Sequence, residues 1–170
     1  NSNTEVIRDY LLLIIFTGLR RSEAMKVKVS DVDMKERTLT VTDTKNSEPH
    51  VLPMGDYLFS VVKRRVYETF NEYLFPSKSK TGHLVEPVKQ VRKVAEISGV
   101  DFTLHDLRRT FATIAESLDI PYFALKKLLN HKTNQDVTAG YVVSDVSRLV
   151  EPMQKVEGKI LEFAGVEHVN

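Results

Sequence analysis

Apolar residues recur every three or four positions along most of the chain, a spacing that predicts amphipathic helices. The predicted helices cover residues 4–18, 22–25, 57–70, 87–98, 104–118, 121–130 and 144–163. Thr4, Ser22 and Thr103 are suitable amino-terminal caps, because their hydroxyl groups can accept a backbone N–H. Gly18 and Gly99 are natural stops, because glycine readily adopts the left-handed conformation that ends many helices.

Between residues 31 and 53 the pattern changes to short apolar segments that are typical of strands. Three pairs of apolar residues mark these strands: Val32 and Met34, Leu39 and Val41, Val51 and Leu52. Polar turns at 35–37 and 46–49 separate the pairs, which predicts antiparallel hairpins. The predicted fold class is α+β and mainly α, a helical core with a small three-stranded antiparallel sheet at one edge.

The chain has 170 residues, no cysteine and a formal net charge of +1. This length suits one domain, and the lack of cysteine excludes disulfides and thiolate metal sites. The longest apolar run, residues 10–16, is too short to span a bilayer, and no signal peptide is visible, so we expect no membrane association. Because the net charge is small, binding of an anionic partner must depend on a few well-placed cations.

The first candidate cation is Arg20, which follows the predicted helix stop in the segment T-G-L-R-R-S-E (17–23). Two flanking helices would hold this arginine in place, and Glu23, three residues later, can pair with it. Taken alone, the same pattern also fits a solvated arginine at a helix boundary.

A second group of candidates opens the predicted helix 104–118. His105 and Arg108 are three residues apart, so their side chains lie on one helix face. Free N–H groups and the positive end of the helix dipole favour an anion at this position. A partly buried structural histidine beside a surface arginine is the alternative.

Three further residues have side chains that could take part in catalysis, but each of them also fits a purely structural role. Lys45 lies in the polar turn between the second and third strands, where a lysine commonly serves solubility alone. His131 follows the helix 121–130 and is placed to cap its carbonyl groups. Tyr141 lies in the segment T-A-G-Y-V (138–142), and a tyrosine most often packs in a core. The order of all these residues along the chain is more informative than any one of them.

In sequence order they form T-G-L-R-x-x-E, a lysine on a hairpin, H-x-x-R, a histidine after a helix, and a tyrosine ten residues later. This order resembles the catalytic domain of tyrosine recombinases of the phage integrase class, over residues 4 to about 145. The segments L-L-N-H-K (128–132) and D-V-T-A-G-Y (136–141) are similar to phage-type integrases in particular. Two positions depart from the family pattern: Asn130 replaces the usual glycine, and the spacing from His131 to Tyr141 is ten rather than the common nine.

The resemblance implies an enzyme that cleaves DNA without a metal or a cofactor. Tyr141 would form a 3′-phosphotyrosyl bond, and Lys45 would protonate the 5′ leaving group, with Lys35 as the alternative general acid. The two arginines and two histidines would bind the scissile phosphate, and the glutamate would support its neighbouring arginine. The implied catalytic set is Arg20, Glu23, Lys45, His105, Arg108, His131 and Tyr141.

The resemblance also implies that residues 1–170 are a single catalytic domain, the carboxy-terminal part of a longer protein without its amino-terminal core-binding domain. Residues 144–170 would form a helix and tail that pack on their own domain or dock on a neighbouring subunit. The expected partners are double-stranded DNA with a specific recombination site, further subunits in a tetrameric synapse, and accessory DNA-bending proteins. The expected location is the cytoplasm of a bacterial host cell.

Two other functions stay open. A type IB topoisomerase uses similar residues to relax supercoiled DNA without site specificity. A non-catalytic DNA-binding protein on the same fold would keep the scaffold but not the chemistry, although the complete set of residues argues against it.

Overall fold

The computed structural model describes residues 3–42, 48–131 and 146–166. These ranges contain seven α-helices: α1 (Asn3–Thr17), α2 (Arg21–Met25), α3 (Asp56–Glu68), α4 (Val88–Ser98), α5 (Leu104–Ser117), α6 (Tyr122–Leu128) and α7 (Val150–Phe163). They also contain three strands, β1 (Val32–Asp33), β2 (Thr38–Val41) and β3 (His50–Pro53), and 3₁₀ turns at Val29–Asp31 and Val146–Leu149. Within the described ranges, no helix has the length and apolarity needed to cross a membrane. The predicted fold class is confirmed.

The sheet has the order β1-β2-β3, and neighbouring strands pair antiparallel. Leu39 of β2 lies opposite Leu52 of β3, and both side chains are fully buried. Their burial favours this register, because a slip of one strand by one residue would turn one of the two leucines to the opposite face. Lys45 belongs to the connection between β2 and β3, and residues 43–47 lie outside the described part of the chain.

The hydrophobic core surrounds α1. Tyr10, Leu13 and Ile14 of this helix have no exposed surface, and Phe111 of α5 is equally buried. α1 packs most extensively against α5, while α3 and α7 also contact it. This packing brings the carboxy-terminal end of α1 close to the first turns of α5.

Gly18, the residue directly after α1, lies close against α5. Its φ of 66° is left-handed, and the chain leaves α1 through this residue. A Cβ at Gly18 would lie 2.5 Å from Cδ1 of Phe111. Any larger residue would therefore push α5 away from the turn after α1. That turn carries Arg20, so the close approach bears directly on the candidate site.

Two predicted helix caps are wrong. Thr4 lies within α1, and Ser22 lies within α2. The cap position of α2 is Arg20, whose backbone N–H donates to the Glu23 carboxylate at 2.8 Å. This bond closes the first turn with Arg20 at the cap position, so α2 begins at Arg21, before the predicted cap Ser22. Thr103 does cap α5, and its hydroxyl accepts a backbone N–H of that helix.

The last helix packs on its own chain. Met153, Val156 and Leu161 are buried in the core, and α7 contacts both α3 and α5. The prediction of a continuous helix from residue 144 or 145 is wrong over Val146–Leu149, which form a 3₁₀ turn. Pro152 explains the difference, because its ring would clash with the carbonyl four residues earlier in an α-helix. Residues 144 and 145 lie outside the described residues, and docking of 144–170 on another subunit stays a prediction.

A buried carboxylate joins α7 to α3. Glu157 is 1% exposed and accepts the backbone N–H groups of Tyr57 and Leu58 at 2.8 and 2.9 Å. These N–H groups lie in the first turn of α3 and have no acceptor within the helix. Burial raises the pKa of the Glu157 carboxyl, and the two N–H donors oppose that shift.

We expect Glu157→Ala to lower the free energy of unfolding by about 1–3 kcal/mol, because it leaves two buried N–H groups without acceptors. Urea denaturation measures this loss. Glu162→Ala is the matched control, because Glu162 lies on the same helix but pairs with Lys159 at the surface. The capping role is refuted if both variants unfold at the same urea concentration.

Candidate active site

Arg20 is held in the turn between α1 and α2. Its guanidinium Nη1 lies 2.9 Å from Oε1 of Glu23, and its backbone N–H donates to Oε2 of the same carboxylate. The Glu23 side chain is 3% exposed, whereas that of Arg20 is 30% exposed. Glu23 thus fixes both the backbone and the side chain of Arg20, while part of the guanidinium stays open to solvent.

Arg108 approaches the same turn from α5. Its Nη1 donates to the carbonyl oxygen of Gly18. Its Nη2 donates to the carbonyl oxygen of Leu129, 3.2 Å away, at the end of α6. The half-buried side chain therefore bridges three elements that are distant in sequence. Its position depends on the missing side chain at Gly18, which lets α5 come so close.

The Arg20 guanidinium acts on that of Arg108. Burial lowers the pKa of Arg108, and the positive charge of Arg20 lowers it further. The negative charge of Glu23 acts in the opposite direction but does not cancel these effects. Two like charges held together at the edge of the protein interior are stabilised by an anion, since the anion relieves their repulsion. The geometry favours binding of a phosphate-like group.

An open cleft of about 630 Å³ lies beside this pair. It is lined by side chains from several elements, among them Leu19, Arg20, Arg92, Thr103, His105 and Arg108. His105 is exposed on the first turn of α5, so its ring is accessible to a ligand in the cleft. Among the described residues, no three His, Asp or Glu side chains are grouped as a metal ion would require.

The end of α6 presents His131. Asn130 has a left-handed φ of 49°, and its N–H donates to the Lys127 carbonyl at 3.1 Å. The N–H of His131 donates to the Lys126 carbonyl at 3.0 Å, which completes a Schellman motif. α6 therefore ends at Leu128, two residues earlier than predicted. Asparagine tolerates the left-handed conformation, so it can replace glycine at this position.

His131 belongs to the same electrostatic cluster. Its ring is exposed, yet partial desolvation lowers its pKa, and the charge of Arg108 is the next largest cause. Lys126 and Arg20 lower this pKa as well, while Glu116 raises it. The neutral imidazole is favoured, and it can donate or accept a hydrogen bond.

The structure brings five of the seven predicted residues to one region. Arg20 and Glu23 form an ion pair, and His105 and Arg108 line the cleft beside them. His131 lies close enough to Arg108 for the arginine's charge to lower the histidine's pKa. Lys45 and Tyr141 lie outside the described residues. Lys35, the alternative general acid, lies in the exposed turn between β1 and β2, with its Nζ 4.0 Å from Glu36.

One residue of this region, His50, was not predicted. It is the first residue of β3, is 9% exposed, and places its ring Nε2 2.9 Å from the Lys127 carbonyl. The alternation of strand residues carries a signal for it, because His50 is two residues before the buried Leu52 and shares its face. Histidine is buried less often than aliphatic residues, so its place on the inward face is the feature of the sequence that marks this position.

Residues 1–148 match the sequence model of the phage integrase family. The chain is 28% identical to prophage integrase IntF of Escherichia coli (strain K12), across 96% of this chain and 36% of that protein. It is 30% identical to tyrosine recombinase XerA of Saccharolobus solfataricus, across 71% of this chain and 40% of that protein. The chain thus spans well under half the length of these two relatives.

Solved structures share the fold. The integrase from mycobacterium phage Brujita superimposes with a TM-score of 0.72 and 23% identity, across 92% of this chain and 53% of that protein. The XerH site-specific recombinase, in a pre-cleavage complex with its difH substrate, gives a TM-score of 0.63 and 19% identity. That alignment covers 97% of this chain and 46% of XerH.

Proposed function

Because the chain belongs to the phage integrase family, we propose that it carries the chemistry of a site-specific tyrosine recombinase. It would cleave and rejoin double-stranded DNA through a 3′-phosphotyrosyl intermediate. The observation that carries this proposal is the pair of guanidinium groups, Arg20 and Arg108, held beside one cleft with His105 and near His131. The names of the relatives, which include a prophage integrase and a tyrosine recombinase, support it.

The arginines would bind the scissile phosphate. Attack on a phosphodiester increases the negative charge on the non-bridging oxygens, and fixed cations stabilise that charge. Arg108 uses two of its five N–H donors on the carbonyls of Gly18 and Leu129, which leaves the others for phosphate oxygens. Arg20 uses one on Glu23 and is otherwise available. His105 and His131 would add hydrogen bonds to the same oxygens.

Tyr141 would supply the nucleophile. Its Oη attacks phosphorus and loses its proton to His105, while the bond from phosphorus to the 5′ oxygen breaks. Lys45 gives a proton to that oxygen, which leaves as a neutral hydroxyl. The phosphotyrosyl bond conserves the energy of the broken link, so a 5′-hydroxyl of the same or a partner strand can reverse the step.

Covalent capture on DNA tests the proposed function. The protein is incubated with supercoiled plasmid in EDTA, stopped with detergent, and examined for nicked DNA that carries bound protein. Adducts at a defined DNA sequence are expected. Relaxation of plasmids regardless of sequence would favour the topoisomerase alternative, and DNA binding without any adduct would favour the non-catalytic one.

The general-acid role of Lys45 has its own test. We expect Lys45→Ala to slow cleavage of ordinary DNA by about 100-fold or more, because the 5′ oxygen then leaves without a proton. A substrate with a 5′-bridging sulfur should be cleaved at nearly the wild-type rate, because a thiolate leaves without protonation. Lys35→Ala is the matched control and should cleave both substrates normally. If sulfur does not rescue Lys45→Ala, another group is the general acid.

The proposal extends to partners and location. The protein would act on a specific recombination site in the cytoplasm of a bacterial host, as four subunits in a synapse with accessory DNA-bending proteins. XerH was solved on its difH substrate, which supports a DNA partner of this kind. Residues 1–170 would be the catalytic domain of a longer protein, and the segment 144–170 would dock on a neighbouring subunit.

A further inference from the structure

His50 links the hairpin of the sheet to the end of α6. The side chain is buried at the start of β3, and its Nε2 lies 2.9 Å from the carbonyl oxygen of Lys127. A carbonyl can only accept, so Nε2 must carry a proton. The neutral ring then has an unprotonated Nδ1, which is buried and has no hydrogen-bond partner among the described residues.

Burial keeps the ring of His50 neutral. Burial lowers its pKa most, and Arg108 of α5 and Arg20 at the start of α2 lower it further. Glu23 of α2 and the Lys127 carbonyl of α6 act in the opposite direction. A neutral ring with a proton on Nε2 is therefore the form that binds Lys127.

The Lys127 carbonyl also accepts the N–H of Asn130, at 3.1 Å. The same oxygen is thus shared between the His50 ring and the left-handed residue that ends α6. The same turn contains the Leu129 carbonyl oxygen, which lies 3.2 Å from Nη2 of Arg108. His131 is the next residue after the turn's left-handed Asn130. The His50 ring therefore holds the turn that positions both Arg108, through the Leu129 carbonyl, and His131, through its backbone.

We propose that His50 is a positioning residue for strand cleavage, whose Nε2–H holds the end of α6 so that Arg108 and His131 face the phosphate together. The inference rests on the proposed function, because the position of these groups affects a rate only if they bind a reacting phosphate. His50 also stands five residues after Lys45, so the same hydrogen bond anchors the base of the hairpin that carries the proposed general acid.

Three variants at this position separate hydrogen bonding from packing. His50→Gln keeps an amide N–H that can reach the place of Nε2, whereas His50→Asn is too short and His50→Ala has no donor. We expect the rate of covalent capture on plasmid DNA to fall about 100-fold in the Asn and Ala variants, since small displacements of catalytic groups have effects of this size. The Gln variant should stay within about tenfold of wild type, and DNA affinity should change less than about threefold in all three.

The matched control is His83→Asn. His83 also contacts a backbone carbonyl, that of Leu84 at 2.6 Å, and its ring packs on Tyr73, but it takes no part in the α6 turn. This variant should capture DNA at the wild-type rate. An Asn variant of His50 that captures normally, or a Gln variant as slow as Ala, overturns the positioning role.

A second measurement does not depend on activity. Long-range ¹H–¹⁵N NMR of the wild-type protein should show that the ring of His50 is neutral and protonated at Nε2. A proton at Nδ1 instead overturns the inference. This measurement uses no variant, so it holds even if a variant fails to fold. Wild-type protein that forms no adduct at all refutes the proposed function, and the positioning role with it. Normal wild-type capture with an unaffected Asn variant refutes the positioning role alone.

Discussion

Tyr141→Phe is expected to abolish covalent capture of DNA while leaving DNA binding within about threefold of wild type. The substitution removes one oxygen, the atom that would form the bond to phosphorus, and keeps the aromatic ring. No other group in the proposed mechanism can replace a missing nucleophile. The measurement is the amount of protein-linked nicked plasmid after a detergent stop, with DNA affinity and circular dichroism recorded in parallel.

Tyr122→Phe is the matched control. Tyr122 lies on α6, is 69% exposed, and undergoes the same chemical change. It should form adducts at the wild-type rate. Adducts formed by the Tyr141 variant would remove Tyr141 from the mechanism, and loss of adducts in both variants would point to a general effect on the protein.

Arg108→Lys is expected to reduce the cleavage rate by about 100- to 1,000-fold, the size of effect seen when a donor to a developing negative charge is removed. The change keeps the positive charge but loses the planar arrangement of donors. A lysine ammonium cannot bond the carbonyls of Gly18 and Leu129 and also give two parallel hydrogen bonds to a phosphate. We therefore expect a large fall in the single-turnover rate with a small change in DNA affinity.

Arg109→Lys is the control for this substitution. Arg109 is the next residue on α5, its side chain is 69% exposed, and it pairs with Asp106 at 3.7 Å. Its conversion to lysine should leave cleavage unchanged. If Arg108→Lys cleaves as well as the control, charge alone suffices and the bridging geometry described for Arg108 has no catalytic importance.

The sequence pattern predicted most of the helical framework because its signals are local. Thr103 caps α5, and Gly18 and Gly99 adopt left-handed φ angles of 66° and 70° at the ends of α1 and α4. Each of these features depends on residues within a few positions of one another. The apolar pairs likewise predicted that β2 and β3 form an antiparallel hairpin, and in the structure Leu39 lies opposite Leu52.

Contacts between residues that are far apart in the sequence were not predicted. Arg65 is 1% exposed, and its Nε lies 3.3 Å from Oδ2 of the fully buried Asp9, which joins α3 to α1. Charged residues are rarely buried, so the apolar periodicity gave no indication that this pair lies in the core. The fold buries it because each charge compensates the other, which appears only after the two helices meet.

The candidate site also combines local features, which the sequence predicted, with long-range contacts, which it did not. The three-residue spacing of Arg20 and Glu23 predicted their ion pair, and the spacing of His105 and Arg108 predicted a common helix face. The anchors of Arg108 could not be predicted, because Gly18 and Leu129 are 90 and 21 residues away in sequence. They depend on the approach of α5 to α1 and on the turn that ends α6.

The left-handed residue before His131 bears on how relatives of this chain are recognised. The turn requires a positive φ at position 130, and Asn130 provides it at 49°. Glycine and asparagine are thus interchangeable here as far as the backbone is concerned. A search pattern that insists on glycine before the second histidine would reject this chain, and a pattern that admits either residue would collect sequences that such searches have passed over.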